Sequence, residues 1–385
     1  MARVTRSTLA LAALASVAVP GLDPVAVGPA DVHGLDFDVA VLQDAEGRRW
    51  TVRAPRRPAV AAVVDAEARL LPLLQPLLPV PVPVPAGHCR LPEGGRCVVS
   101  AYLPGSPLDA ASLRAGSPLA AEVGQVLAAL HEVDPDVFEE AGVPVYGADE
   151  YRLRRLADVD RAAATGQVPS SLLGRWERAL EQVAHWRFVP TPIHGDLAGE
   201  HVLEHQGRVS GLLDWGEARV ADPADDLAWV AASAPPDALD TVLEAYSMAR
   251  GNRPDPHLLD RARLAAELAL ARWLLGGVAA DDAQVVDEAA RALARLADVV
   301  QAGNDSQRGA LRAGVERDEF PGLDPDDTRD TDVADRSPDR GLPDRNPDGD
   351  RDDRNPDGDR DDRNPDGDRG LGDTDRDRAN DVTPG

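Results

Sequence analysis

Apolar positions change their spacing twice along the chain. From the N-terminus to about Leu103 they alternate in short runs broken by proline and glycine, the pattern of half-buried strands. Ser7 is a fair N-cap for a first helix, on which Leu9, Ala13 and Val17 share a face; Arg3 and Arg6 before Leu9–Val19, with Ala13-Leu14-Ala15, also fit a secretion signal, and we read the helix. Gly34–Val41 alternates as a strand, Asp44–Gly47 turns it, and Arg49–Ala54 returns. Pro58 opens a helix from Ala59 to about Leu71. Prolines 72, 76, 79, 81, 83 and 85 then predict extended chain, with a buried strand at Cys97–Tyr102 and a hinge at Leu103-Pro104-Gly105.

Past the hinge the spacing becomes three and four, and helices are predicted at Pro118–Val133, Glu150–Ala164, Leu172–His185, Asp237–Ala249, Pro256–Leu275 and Gln284–Ala302. His131, at the end of the first of these, reads as a core or capping residue. After Gly303 apolar residues thin out, and NPDGDRDDR begins at Asn346, recurs at Asn355 and restarts at Asn364. Such a segment cannot bury enough surface to offset chain entropy, so residues 303–385 are expected to be a disordered acidic tail. Asp344-x-Asn346-x-Asp348-Gly349 has a calcium-loop spacing but no closing Glu, and solvated repeats are the preferred reading.

Composition sharpens this. All 41 basic residues of the 385 are arginine, and the net charge is −26. Residues 318–385 hold 24 acidic and 11 basic groups, or −13, half of the total. That balance argues against a nucleic-acid partner and favours cationic small molecules. No run reaches membrane-span length. Cys89 and Cys97 flank a hairpin turn at Leu91–Gly95 and read as reduced thiols of a cytoplasmic protein.

The chemistry concentrates between Pro192 and Trp229, PTPIHGDLAGEHVLEHQGRVSGLLDWGEARVADPADDLAW. An apolar run, Phe188 to Ile193, delivers His194-Gly195-Asp196 into a loop. A hairpin of Val202–Glu204 and Val209–Leu213, turning at His205-Gln206-Gly207, then brings His201 near Asp214. Phosphoryl transfer needs a carboxylate to orient and deprotonate an alcohol, and ligands for a bridging Mg2+. Asp196 suits the first role. Asp214 suits the second, with His201 either touching the metal or bonding to position it. Taken singly, each Asp would be a turn or cap residue.

HGDxxxxH, the hairpin, DW and ADPADDLAW in this order resemble the aminoglycoside phosphotransferase-like kinases. His201 in place of the usual Asn, LDWGEA, and Trp50–Arg57 are similar to the macrolide 2′-phosphotransferase branch, although Ala198-Gly199-Glu200 stands where that branch has His-Pro-Gly. The resemblance implies an α+β, bilobal protein-kinase-like fold: residues 1–102 a nucleotide-binding N-lobe, 103–302 a helix-rich C-lobe, 303–385 the tail. It implies Arg53 as the phosphate-gripping cation, partnered by Glu67, with purine bound by backbone groups at Ser100, Ala101, Tyr102 and Leu103. Asp226 would brace the catalytic loop beside His194, and Asp222 would cap the helix opened by Pro223. The expected reaction moves the γ-phosphate of GTP or ATP, with Mg2+, to a macrolide 2′-hydroxyl, in a monomer without membrane or nucleic-acid partners. Trp229, Tyr246, Met248 and Trp273 read first as core packing and otherwise as an apolar surface for a macrolide ring, and Glu217 and Asp225 either face its dimethylamino cation or are simply solvated. An aminoglycoside or small-alcohol kinase and a nucleotide-binding pseudokinase are the alternatives.

Overall fold

The computed structural model describes residues 5–29, 37–57, 60–251 and 255–315, all within the unit formed by residues 1–319. The tail repeats, Gly34–Asp36 and Pro58-Ala59 lie outside the described residues.

The N-lobe is an antiparallel sheet with strand order β1-β2-β3-β5-β4: β1 Pro24–Pro29, β2 Phe37–Asp44, β3 Arg49–Pro55, β4 Pro85–Arg90 and β5 Arg96–Ala101. β1 was not expected. Proline at both of its ends hides it in the sequence, and both are tolerated because the strand lies at the sheet edge. Helix α1, Thr8–Ala18, is capped by the Ser7 hydroxyl, which accepts the Ala10 N–H at 3.2 Å, and buries Leu11, Ala15 and Ala18 among residues of β2 to β5. The expected face is the wrong one, since Leu9 and Val17 are each 72% exposed. Nearly every position of α1 is apolar, so the sheet chooses the face and periodicity cannot. Cys89 and Cys97 sit opposite each other as free buried thiols on β4 and β5, and burial raises the Cys97 pKa to about 12.

Helix α2, Ala61–Leu74, continues through Pro72, which was expected to stop it. In the last turn a proline removes one ladder bond, and buried Leu70, Leu71 and Leu74 hold the helix in place. The chain then runs extended with Val80 and Val82 buried, turns through β4 and β5, and enters the C-lobe.

There, α3 (Pro118–His131), α4 (Pro135–Ala141), α5 (Ala148–Ala164), α6 (Ser170–Glu181), α7 (Ala224–Ser233), α8 (Pro236–Ala249), α9 (Leu258–Ala280) and α10 (Ala283–Val315) surround two small sheets. α9 and α10 outrun their expected ends. One core joins α2, α3, α7 and α8; the other joins α5, α6, α9 and α10. Between them, β7 (Thr191–Ile193) pairs antiparallel with β10 (Arg219–Ala221), and β6 (Ser106–Pro107), β8 (Val202–His205) and β9 (Arg208–Leu212) form the second sheet. The β8–β9 turn has positive φ at Gln206 (54°) and Gly207 (77°), the two-residue hairpin geometry that matches strand twist. Among the described residues no helix is long and apolar enough to cross a membrane.

Candidate active site

β7 and β10 fix the two ends of the stretch that carries the chemistry, and the β8–β9 hairpin folds its middle back. The loop leaving β7 is held from behind by Asp226 on α7, whose carboxylate accepts the backbone N–H groups of His194 and Gly195, each at 2.8 Å. Gly195 has φ +83°, and a Cβ there would run into the Glu217 carbonyl and the Arg219 guanidinium, so glycine is required. Behind Asp226 lies a support that sequence reading missed. The His131 Nε2–H donates to Asp226 at 3.2 Å, and its Nδ1 accepts the Tyr246 hydroxyl at 2.9 Å, with His131 and Tyr246 buried. Asp222 accepts the Ala224 N–H at the start of α7 and also takes Arg261 bidentately at 2.7 and 3.1 Å; that partner on α9 carries no local sequence signal.

The two loop histidines are oriented by carbonyl groups. His194 is buried and its Nε2–H donates to the Leu213 carbonyl at 2.7 Å; burial above all lowers its pKa to about 4, so it is neutral. His201, on a 3-10 turn at Gly199–His201, donates from Nδ1 to the Asp196 carbonyl at 2.6 Å. Its Nε2 lone pair therefore faces the Asp214 Oδ2, 3.7 Å away. Asp214 adopts left-handed backbone at φ 61°, a conformation Asp tolerates better than most residues. Its other oxygen accepts Arg53 Nη2 at 2.9 Å, while Arg53 Nη1 reaches Glu67 at 2.8 Å. Arg53 also lies over the Phe37 ring at 4.1 Å. Burial acts to raise the Asp214 pKa, but the Arg53 guanidinium beside it outweighs this and leaves the carboxyl below its ordinary value.

Arg53, His201 and Asp214 line a cavity of about 500 Å³. Its other walls come from β1, β2 and β3 and from Ser100, Ala101, Tyr102 and Leu103. Arg49 stacks on the Tyr102 ring at 3.7 Å. The slot is mostly apolar with a few polar groups in its lining, which suits a flat base with a phosphate chain.

Asp196 opens instead into a second cavity of about 630 Å³, between α2, α5, the Trp215–Arg219 turn and α9. Burial raises its carboxyl pKa, against the opposing charge of Arg272. Of the two acidic groups named from the sequence, Glu217 lines this cavity and is exposed, while Asp225 does not line it. Asp225 is buried and already shared: Arg155 Nη2 and Arg219 Nη2 donate to one oxygen at 2.5 and 2.9 Å, and the Tyr151 hydroxyl donates to the same atom. Those partners hold the Asp225 carboxyl well below the usual range despite burial. Arg219 also donates to the Gly195 carbonyl at 2.9 Å, tying the cluster to the catalytic loop. Of the two readings of the aromatic residues, core packing holds for Tyr246 and Trp229, and no aromatic surface of these four residues lines this cavity. Tyr246 is in the core bonded to His131, Trp229 packs against the same core, Met248 is 77% exposed, and Trp273 does not line this cavity.

A two-lobed α+β fold with HGD and DWGE loops between a nucleotide-sized slot and a second cavity is the architecture of the aminoglycoside phosphotransferase-like kinases. The chain belongs to the Phosphotransferase enzyme family (APH), whose sequence model matches residues 29–266. It is 32% identical to macrolide 2′-phosphotransferase MphH from Brachybacterium faecium, with TM-score 0.64 covering 74% of this chain and 97% of that one. A macrolide 2′-phosphotransferase type I is 30% identical, with TM-score 0.64 over 76% and 99% of the two chains. The uncharacterized protein YcbJ of Bacillus subtilis (strain 168) is 32% identical over 208 residues, which are 50% of this chain and 66% of YcbJ, so the chain spans just under two thirds of that curated relative.

Proposed function

We propose that the protein transfers the γ-phosphoryl group of GTP or ATP to a hydroxyl of a small molecule in the cytoplasm. The observation that carries this reading is that one short loop serves both cavities, with His201 and Asp214 lining the slot and Asp196 lining the second chamber. Asp196 takes the hydroxyl proton as the acceptor oxygen bonds to the γ-phosphorus, and the bond from that phosphorus to the bridging oxygen breaks, leaving nucleoside diphosphate. A carboxyl pKa raised by burial makes Asp196 a stronger base than an ordinary aspartate. Arg53, held by Glu67, orients the phosphate chain. Backbone groups from Ser100 to Leu103 receive the purine, and Asp226, Asp222 and His194 keep the loop in register.

His201 Nε2 and Asp214 Oδ2 would hold a Mg2+ ion. Among the described residues no group of three His, Cys, Asp or Glu side chains forms a cage, and magnesium does not need one. When bound, the ion neutralises charge on the phosphates. Likeness to the two macrolide enzymes supports a macrolide 2′-hydroxyl as acceptor. A smaller alcohol is favoured by one observation, the guanidinium groups around Asp196. The test is nucleotide consumption by purified protein against macrolides, aminoglycosides and small alcohols, with GTP and ATP in parallel. Turnover that survives Asp196→Ala would remove Asp196 as the base.

A further inference from the structure

Four arginines line the Asp196 cavity: Arg154 and Arg155 on α5, Arg219 on β10, and Arg272 on α9. Its carboxylates are largely committed elsewhere. Glu67 belongs to Arg53, Asp158 to Arg161, and Asp225, beneath the floor, to Arg155 and Arg219. Glu217 is exposed and reaches Arg219 at 3.4 Å. Arg154 lies over the Tyr146 ring at 4.5 Å.

Arg272 has no such ion pair among the described residues; the fields of Asp225, and of Asp196 in the same cavity, act on it. Its Nη1 is buried without a hydrogen-bond partner among the described residues. A buried guanidinium donor left unpaired is costly, and a donor fork of this shape matches the oxygens of a carboxylate or a phosphate. Burial, and next the Arg155 charge, press the Arg272 pKa below its ordinary value, with Asp225 opposing. The pressure is electrostatic, and an anion arriving in the cavity would relieve it. Arg272 is also close enough to Asp196 for its charge to act on that carboxyl.

We infer that Arg272, with Arg154 lining the same cavity, receives an anionic group of the acceptor, so that the substrate is an alcohol carrying a carboxylate or a phosphate. The inference rests on the reading of this chamber as the acceptor site, and it parts from the macrolide and aminoglycoside acceptors. An amino sugar brings a cation to a chamber that already holds one without an ion pair, and an aminoglycoside brings several.

Initial rates with Mg-GTP and Mg-ATP on matched pairs test it: gluconate against sorbitol, and glucose 6-phosphate against glucose, with erythromycin and kanamycin alongside. The carboxylate and phosphate arms distinguish the two anion sources. At least one charged member should exceed its neutral partner tenfold or more in kcat/KM. In Arg272→Met that ratio should fall towards one through KM, and Arg272→Lys should restore part of it. Equal rates within each pair, or turnover of erythromycin or kanamycin unaffected by Arg272→Met, would overturn the inference and leave the phosphotransferase reading standing. If no compound on the panel turns over, calorimetry with sodium malonate and inorganic phosphate decides, with the slot filled by GDP. Binding lost in Arg272→Met upholds the inference, and absent or unchanged binding overturns it. Failure of the wild-type protein to bind GTP, ATP, GDP or ADP at all would instead sink the phosphotransferase reading itself.

Discussion

The two cavities that meet at the catalytic loop are built in opposite ways. In the slot the charged groups answer one another: Arg53 lies between Glu67 and Asp214. The slot is pre-organised before anything enters. In the chamber around Asp196, Arg155 and Arg219 crowd onto a single carboxylate oxygen, while Arg272 keeps a buried donor without a partner. One side of the loop is electrostatically closed and the other waits for charge. On the reading proposed above, acceptor choice is set by a few cations on α5, β10 and α9.

Mutations should separate the two sides. The largest effect is expected at the boundary, where Asp196→Asn should lower kcat by about 10²–10⁴-fold with nucleotide binding retained; calorimetry with GDP and a rate assay check both halves. Asp214→Asn should reduce kcat by about 10²–10³-fold, the loss of several kcal/mol of charge stabilisation, and flatten the Mg2+ titration. A normal Mg2+ curve in that variant would break the assignment of Asp214 as a metal ligand. Arg53→Met should raise the nucleotide KM about tenfold, the loss of one charge-assisted contact, without moving the acceptor KM; an acceptor effect of equal size would mean the sides are not separable.

A smaller effect concerns acid. The folded His194 pKa is lowered to about 4, against an unfolded value of about 6.5. As pH falls below 6.5 the unfolded chain takes up this proton first. Stability from keeping His194 neutral is therefore fully present above about 6.5 and is lost progressively down to about 4. Thermal midpoints at pH 7, 5.5 and 4.5 should fall in that order, and His194→Gln should fall less steeply. The least effect is expected from deleting residues 320–385, which should leave kcat within about twofold; a large fall would give the acidic repeats a part in the chemistry.

The meeting of His201 and Asp214 was legible in the sequence because a hairpin signal lies between them. Arg53 and Glu67 pair as the family resemblance implies, and Arg53 also reaches Asp214, which no local pattern marked. The chamber was not legible. Arg272 is one of 41 arginines, on a helix whose start lies 62 residues after Asp196 (258 − 196), and no local pattern marks it as unpaired. Asp225 was read as a free negative charge because its partners come from α5 and β10. His131 and Tyr246, read as core, are in the core and also hold Asp226 in place. Periodicity placed α1 but not its face, because the helix is apolar on nearly all sides, and proline rules misjudged the edge strand β1 and the last turn of α2.

Arg53 has a practical corollary. Acyl-phosphate nucleotide reagents tag kinases by acylating a side-chain amine beside the bound triphosphate. Here every basic side chain is a guanidinium and the sequence contains no lysine, so such reagents find no side-chain amine to modify. Proteome surveys that count kinases by lysine acylation would pass over this protein even with its nucleotide slot filled, whereas dicarbonyl reagents directed at arginine should reach Arg53 and be blocked by nucleotide.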